Sequence, residues 1–506
     1  MIFTSPEMLL FALLSTLLRP VISKNVLLIV IDDLGSTDLS PTPPSLPPGS
    51  TPLLTPFLTS LYTSPNSQPL NLHTSPQCTP SRSSLLTGYT PETLGLSHYV
   101  LVNGQDLSIP LQFPLLPQYL PNHTSHLFGK WHVGHARNSY TPLERGYEIF
   151  KGYYLGSTDF FEHVNNEVCC CEEVCSPLRT NSSFNQSYID LQGYDVTLPS
   201  GYSTDIVTED VLKVIDDYDG EKDFFLHVNF PATHSGPDGL PQYKESDVDP
   251  DLYARSPKRA GFDAMLKNLD SNIERIFKSL QDKRLLDGTL VIILSDNGGE
   301  TSSGASNYPL RGEKFTYFEG GIKTPAMIIN SDKMVVDRIV GMEDILPSII
   351  DDLNHDLIVT TNTLFEGESI FKSSSREYKV LLDPVYHCGT VFYSSYKLVV
   401  NGTCGYDVIF NKPYLGGWSK PDDSYDNKPS IPKNINEVML FNLNDDEEER
   451  VDLSEAKKDL VEEMLKVYKE REREVRGLER QSIMLGDDIE IIRPKGGGKI
   501  GPWLPD

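Results

Sequence analysis

Short uninterrupted apolar runs alternate along this chain with longer segments whose apolar residues recur every three or four positions. Four runs share one form. Asn25 to Ile31 leads into Asp32-Asp33-Leu-Gly, and Thr124 to Phe128 leads into Gly129-Lys130-Trp131-His132. Phe224 to Phe230 leads into Pro-Ala-Thr-His234, and Thr289 to Leu294 leads into Ser-Asp296-Asn297-Gly-Gly. None shows period-two alternation, so each is expected as a strand buried on both faces, as in a parallel sheet. Between them, Phe262, Met265, Leu266, Leu269, Ile273, Ile276 and Phe277 mark an amphipathic helix over Phe262 to Leu280. Strands alternating with helices predict an α/β fold, with a large, mixed, mostly parallel sheet covered by helices.

After about residue 370 the pattern changes. Glu377 to Leu382, Val391 to Tyr393 and Tyr396 to Val400 read as antiparallel strands, and Ser454 to Arg476 as a charged amphipathic helix. A chain of 506 residues is too long for one ordinary core. The expected division is a large domain over 24–370 and a smaller sheet-plus-helix subdomain over 371–506. Thr42 to Pro56 is proline-rich and is expected as a surface loop. Pro494-Lys-Gly-Gly-Gly-Lys has no preceding strand and no closing Lys-Ser/Thr pair, so it is not a phosphate loop.

Residues 1–23 form a unit of their own. The apolar run Met8 to Leu18 has signal-peptide length, with cleavage expected before Lys24, although Glu7 stands where positive charge is usual. No later stretch is expected to cross a membrane. Sequons at Asn122, Asn181, Asn185 and Asn401 agree with export to the secretory pathway, either lysosomal or extracellular. Of seven cysteines, Cys78 stands apart. The other six allow three disulfides, with Cys388 to Cys404 the preferred local pair and Cys169, Cys170, Cys171 and Cys175 expected in a disulfide-linked surface loop. A formal net charge of −27 argues against nucleic-acid binding. It also requires any enzyme of anionic substrates to concentrate its cations at the site.

In open α/β sheets ligands bind beyond the carboxyl ends of the strands, where these four runs deliver their reactive side chains. Asp32, Asp33, Asp296 and Asn297 are hard oxygen ligands, which favour calcium or magnesium over zinc or copper. Any one such pair is more often a helix cap or a solvated turn. Cys78-Thr-Pro-Ser-Arg82 places Pro80 in a first helical turn and Cys78 near the positive end of the helix dipole. Three residues between cysteine and arginine exclude a tyrosine-phosphatase loop, which needs five. A soft thiolate beside hard-cation ligands is a chemical mismatch, so an oxygen nucleophile suits the position better.

Cys78-x-Pro-x-Arg82, continuing to Leu86-Thr87-Gly88, resembles the signature of the sulfatases. The order and spacing over Asn25 to Pro325 are most similar to the arylsulfatase B, or N-acetylgalactosamine 4-sulfatase, type. Phe441-Asn-Leu-Asn-Asp resembles the family's C-terminal strand and turn. The resemblance implies an alkaline-phosphatase-like fold and one calcium ion held by Asp32, Asp33, Asp296, Asn297 and a modified Cys78. It implies that a formylglycine-generating enzyme oxidises Cys78 to an aldehyde, whose hydrate supplies the attacking oxygen. It further implies roles for Arg82 beside that diol, for Lys130 and His132, and for His234 and Lys314 at the leaving oxygen. The expected substrate is a sulfate monoester on a glycosaminoglycan, another sulfated glycan or an aryl sulfate. The rivals are a phosphomonoester or phosphonate hydrolase on the same scaffold and an inactive sulfated-glycan-binding protein. His135 is read as structural.

Overall fold

The structure is a computed structural model that describes residues 24–39, 55–102, 105–163, 189–190, 195–196, 200–353, 365–409, 415–419, 437–476 and 478. The expected leader, residues 42–54 of the proline-rich loop, the cluster Cys169 to Cys175, the sequons at Asn181 and Asn185 and the tail lie outside them. Pro56, expected as the end of that loop, instead opens a short helix, Pro56–Tyr62, where its fixed φ suits the first turn.

Nine strands form the main sheet. They are β1 (Asn25–Ile31), β2 (Ser67–Pro69), β4 (His123–Lys130), β5 (Ile149–Tyr153), β6 (Ile189–Asp190), β7 (Asp195–Val196), β8 (Asp223–Phe230), β9 (Thr289–Ser295) and β11 (Ala326–Ile329). Their order is β2-β11-β9-β1-β8-β4-β5-β6-β7. β9, β1, β8, β4 and β5 run parallel, while β11, β2, β6 and β7 add antiparallel edges. The four strands expected from the sequence are therefore consecutive neighbours at the centre. A small sheet joins β3 (Leu72–His73), β10 (Lys323–Thr324) and β12 (Val340–Gly341).

β1 shows why a continuous apolar run is needed. Val26, Leu28 and Val30 enter one core with Leu85, Leu86, Leu346 and Ile349. Leu27, Ile29 and Ile31 enter the core on the other face with Val207, Val211, Met265 and Leu269. Helices α1 (Cys78–Thr87) and α3 (Ile345–Asp352 as the later of the two on that face) cover the first face, and Ser203–Asp216 with α2 (Pro257–Asp282) cover the second. The apolar stripe expected over Phe262 to Leu280 lies inside α2 and is buried.

Beyond residue 377, β13 (Tyr378–Asp383), β14 (Cys388–Tyr393), β15 (Tyr396–Val400) and β16 (Val438–Asn442) form an antiparallel sheet in that order. One face packs on α4 (Lys458–Val475) through Leu398, Leu440, Met464 and Tyr468. On the other, Val399, Met439 and Phe441 pack against Phe318 of the main body. The Cys388–Cys404 disulfide expected from the sequence is present. Among the described residues, no helix is long and apolar enough to cross a membrane.

Candidate active site

Because β9, β1, β8 and β4 are adjacent and parallel, their carboxyl ends lie in a row about 4.8 Å apart. Asp32 and Asp33 follow β1, and Asp296 and Asn297 follow β9. His234 follows β8, and Lys130 closes β4. Backbone pairing continues past the strands and fixes these loops. Asp32 N donates to Ala232 O at 3.1 Å, Thr233 N to Asp32 O at 2.7 Å and Asp296 N to Ile31 O at 3.3 Å.

Cys78 arrives from a separate element. It is the first residue of α1, preceded by extended Gln77, and Gly88 ends that helix with φ +74. All ten residues of α1 are buried, so Cys78 reaches the sheet edge inside the protein. Its Sγ lies 3.6 Å from Asp32 Oδ1. One ligand atom from each of Asp32, Asp33, Cys78 and Asp296 lies within 4.8 Å of the others.

Three buried cations surround these carboxylates. Lys130 Nζ donates to Asp32 Oδ2 at 2.6 Å, and Lys314 Nζ donates to Asp33 Oδ2 at 2.7 Å. Arg82 Nε donates to Asp296 Oδ2 at 2.9 Å. Three carboxylates against three cations leave the cluster close to neutral. A divalent cation would make it net positive, which a chain of charge −27 needs in order to hold an anion.

The donor set fits a hard cation on one observation in particular. Asn297 Nδ2 donates to Asp33 Oδ1 at 2.7 Å and to Gly298 O at 2.9 Å, which fixes the amide orientation. Its Oδ1 is buried without a hydrogen-bond partner among the described residues. A buried acceptor left unpaired beside three carboxylates is the arrangement a cation completes. Burial and the neighbouring Asp296 push the Asp32 carboxyl above its ordinary value, against the pull of Lys130. Burial also opposes ionisation of Asp296, but Arg82, Lys130 and Lys314 outweigh it and hold that carboxyl below its usual range.

The two histidines have defined tautomers. His132 Nε2 faces Leu101 O at 3.0 Å, and a carbonyl only accepts, so Nε2 carries the proton. Its Nδ1 is buried with no hydrogen-bond partner among the described residues. Burial, with Lys130 and Arg82 nearby, pushes the ring well below its ordinary pKa and keeps it neutral. His234 Nδ1 donates to Ser235 O at 2.7 Å, and its Nε2 lies 3.2 Å from Lys314 Nζ and 3.6 Å from Asp33 Oδ2. At 17% side-chain exposure, His234 is more open than Arg82, Lys130 or Lys314, which marks its side as the entrance. Burial raises the Cys78 thiol far above its ordinary value despite Lys130 and Lys314, so the unmodified sulfur is not poised as a thiolate.

The structure thus brings together all ten residues singled out in the sequence. One that sequence reasoning passed over is Thr79. Its Oγ1 donates to His132 O at 2.9 Å and accepts from Leu101 N at 3.0 Å, tying α1 both to His132 and to the residue whose carbonyl faces the His132 ring. The only signal was a hydroxyl residue at the start of a helix.

The family model described as Sulfatase matches residues 24–355, and the chain belongs to the sulfatase family. Arylsulfatase J of Mus musculus is 28% identical over 429 residues, covering 78% of this chain and 68% of that protein. N-acetylgalactosamine-6-sulfatase of Homo sapiens is 29% identical over 329 residues, covering 60% of this chain and 56% of that protein. The solved structure of Ps i-CgsB in complex with k-i-k-neocarrahexaose superposes with a TM-score of 0.70 at 20% identity, covering 91% of this chain and 94% of that one. That likeness shows a shared sulfatase, alkaline-phosphatase-like fold. The resemblance read from the sequence holds for the family; these relatives do not single out the arylsulfatase B type.

Proposed function

We propose that this chain is a calcium-dependent sulfatase that hydrolyses sulfate monoesters of a glycosaminoglycan or related sulfated glycan, with formylglycine made from Cys78. The observation that carries the reading is the unpaired Asn297 Oδ1 beside Asp32, Asp33, Asp296 and Cys78, ringed by Arg82, Lys130 and Lys314. Bound calcium would supply Lewis acidity toward a sulfate oxygen, and a hydrated aldehyde at position 78 would supply an oxygen nucleophile.

The chain's own residues do the rest. Arg82 and Lys130 present fixed positive charge to the sulfuryl group, in a site where their orientation is set before substrate arrives. His234 carries a proton toward the leaving oxygen from the open side of the site, with Lys314 3.2 Å away to support the developing negative charge. His132, neutral with Nδ1 unpaired, accepts a proton during release of sulfate. For the substrate we favour N-acetylgalactosamine 4-sulfate units, on the sequence spacing.

We further propose residues 24–370 as the catalytic domain and 371–506 as its C-terminal subdomain. The apolar run Met8 to Leu18, the exposed sequon residue Asn122 and the Cys388–Cys404 disulfide support passage through the secretory pathway, where a formylglycine-generating enzyme would meet the chain.

Peptide mass spectrometry across Cys78 tests the modification. The aldehyde is expected, and a wholly unmodified cysteine in protein made by a secreting eukaryotic cell overturns it. Hydrolysis of nitrocatechol sulfate but not nitrophenyl phosphate is expected; the reverse preference moves the protein to the phosphomonoesterase reading. Faster release from N-acetylgalactosamine 6-sulfate than from the 4-sulfate would overturn the substrate assignment alone.

A further inference from the structure

The loop that carries Lys314 is held from outside the central sheet. Arg311 Nε donates to Gly416 O at 2.7 Å, Gly312 N donates to Gly417 O at 2.7 Å, and Tyr317 N donates to Gly402 O at 2.8 Å. All three acceptors lie between β15 and β16, in the C-terminal part of the chain. Arg311 is the hub of this attachment. Its buried guanidinium lies 3.9 Å from the ring centroid of Phe318 and 5.0 Å from that of Trp418. Its own carbonyl accepts from Gly320 N at 2.6 Å, closing the loop at its base. Gly312 follows with φ +80, a conformation a side chain would strain.

The far end of the loop is clamped as well. Glu319 N donates to Glu449 Oε2 at 2.7 Å. Lys397 Nζ, on β15, bridges Glu319 Oε1 and Glu449 Oε1 at 2.7 Å each. Lys314 sits between the two clamps. A lysine ammonium rides on a flexible four-carbon stem, so where it sits depends on where its loop backbone is held.

We propose that Arg311 is a positioning residue for the reaction: by joining segment 415–418 to the loop, it fixes where the Lys314 ammonium stands beside His234 and Asp33. This rests on Lys314 acting in sulfate ester hydrolysis, as read above. The side-chain partners of Arg311 among the described residues are Gly416 O, Met439 Sδ and the rings of Phe318, Trp418 and Phe441, and none of these is a candidate metal ligand. A displacement of the loop by about 1 Å is enough to cost a large part of the rate.

A double-mutant cycle tests the proposal, with kcat/KM on nitrocatechol sulfate measured for the wild type, Arg311→Met, Lys314→Ala and the double variant, alongside thermal midpoints. Arg311→Met is expected to lower kcat/KM by about 100-fold in the wild-type background. In the Lys314→Ala background the same change is expected to lower it by less than about threefold, because the group being positioned is gone. A purely structural role would give equal losses in both backgrounds, and that result, or no loss in the wild type, overturns the proposal alone. A Lys314→Ala enzyme with unaltered kcat/KM overturns the catalytic reading and this proposal with it. Should Arg311→Met not fold, Trp418→Leu removes one stacking ring and enters the same cycle, with a smaller loss of about tenfold expected and the same comparison of backgrounds deciding.

Discussion

At Asp32 a fully buried carboxylate lies between a cation that favours its charge and a second carboxylate, Asp296, that opposes it. Lys130, itself without exposed side-chain surface, is the near cation at 2.6 Å. Removing it leaves Asp32 as a buried charge with its closest partner gone, a change that costs about 3 kcal/mol or more. Lys130→Met is therefore expected to unfold at lower urea than the wild type in chelator. Calcium is expected to restore more stability to the variant than to the wild type, because the ion replaces the missing charge beside Asp32. Urea titrations with and without calcium read both effects; no calcium response in either protein would show that no cation binds at this carboxylate, and equal non-zero responses would show that the ion does not stand in for the lysine. Activity is expected to fall by about 100-fold or more even with calcium, since the ammonium also faces the sulfuryl group.

Strand β4 shows what an element adds to its residues. The apolar run read from the sequence ends at Phe128. The strand nevertheless runs on through Gly129 to Lys130. Gly129 has φ +94, and a Cβ there would stand 1.8 Å from Asn229 O on the neighbouring β8. Across the other edge, a Cβ on Gly152 would stand 1.8 Å from Gly129 O. The glycines permit a close approach of three strands at the point where Lys130 enters the site. Gly129→Ala is expected to cost about 3 kcal/mol or more, combining a left-handed backbone with a collision against main chain. Urea unfolding checks this; a loss below about 0.5 kcal/mol would mean that the strands are not held this closely.

For the whole molecule, stability against pH is set by ionisable groups buried far apart. Burial pushes His135 and His227 down to about 3 and His126 down to about 4. Their folded values lie below the ordinary 6.5, so their contribution is fully present above about pH 6.5 and is lost as pH falls toward the folded values. Glu92 behaves in the opposite sense. Burial pushes it up to about 8 against the pull of Arg471, so its contribution is present below the ordinary 4.5 and is lost as pH rises through 8. A stability dome with an acid and an alkaline limb follows. His135 stacks on Tyr154, with ring planes 8° apart, and a phenylalanine at this position keeps an aromatic ring there without a titrating group. Relative to the wild type, His135→Phe is expected to gain about 2–3 kcal/mol between pH 7 and pH 4.5, at about 1.4 kcal/mol per unit below 6.5. Glu92→Gln is expected to flatten only the alkaline limb. Urea midpoints at pH 4.5, 6 and 8 separate the two; parallel curves for all three proteins would remove these groups from the pH response.

The residues that follow β1, β4, β8 and β9 were legible as chemistry because apolar runs end abruptly in carboxylates, imidazoles and an ammonium. The same runs made the parallel, two-faced sheet legible, since only strands covered on both sides dispense with alternation. Cys78 was legible through the proline and arginine that follow it. The sequence by itself therefore determined the fold class, the strand identities and the inventory of reactive groups. Tertiary structure decided the rest. Strand order is a long-range choice that no local pattern encodes, and it makes β9, β1, β8 and β4 neighbours so that Asp32 and Asp296, 264 positions apart, share one cluster. Histidine tautomers, the unpaired Asn297 oxygen and the support that Arg311 gives the Lys314 loop depend on partners brought from distant segments. Local propensity acts over a few residues, whereas a site made of several strand ends exists only once the sheet has assembled.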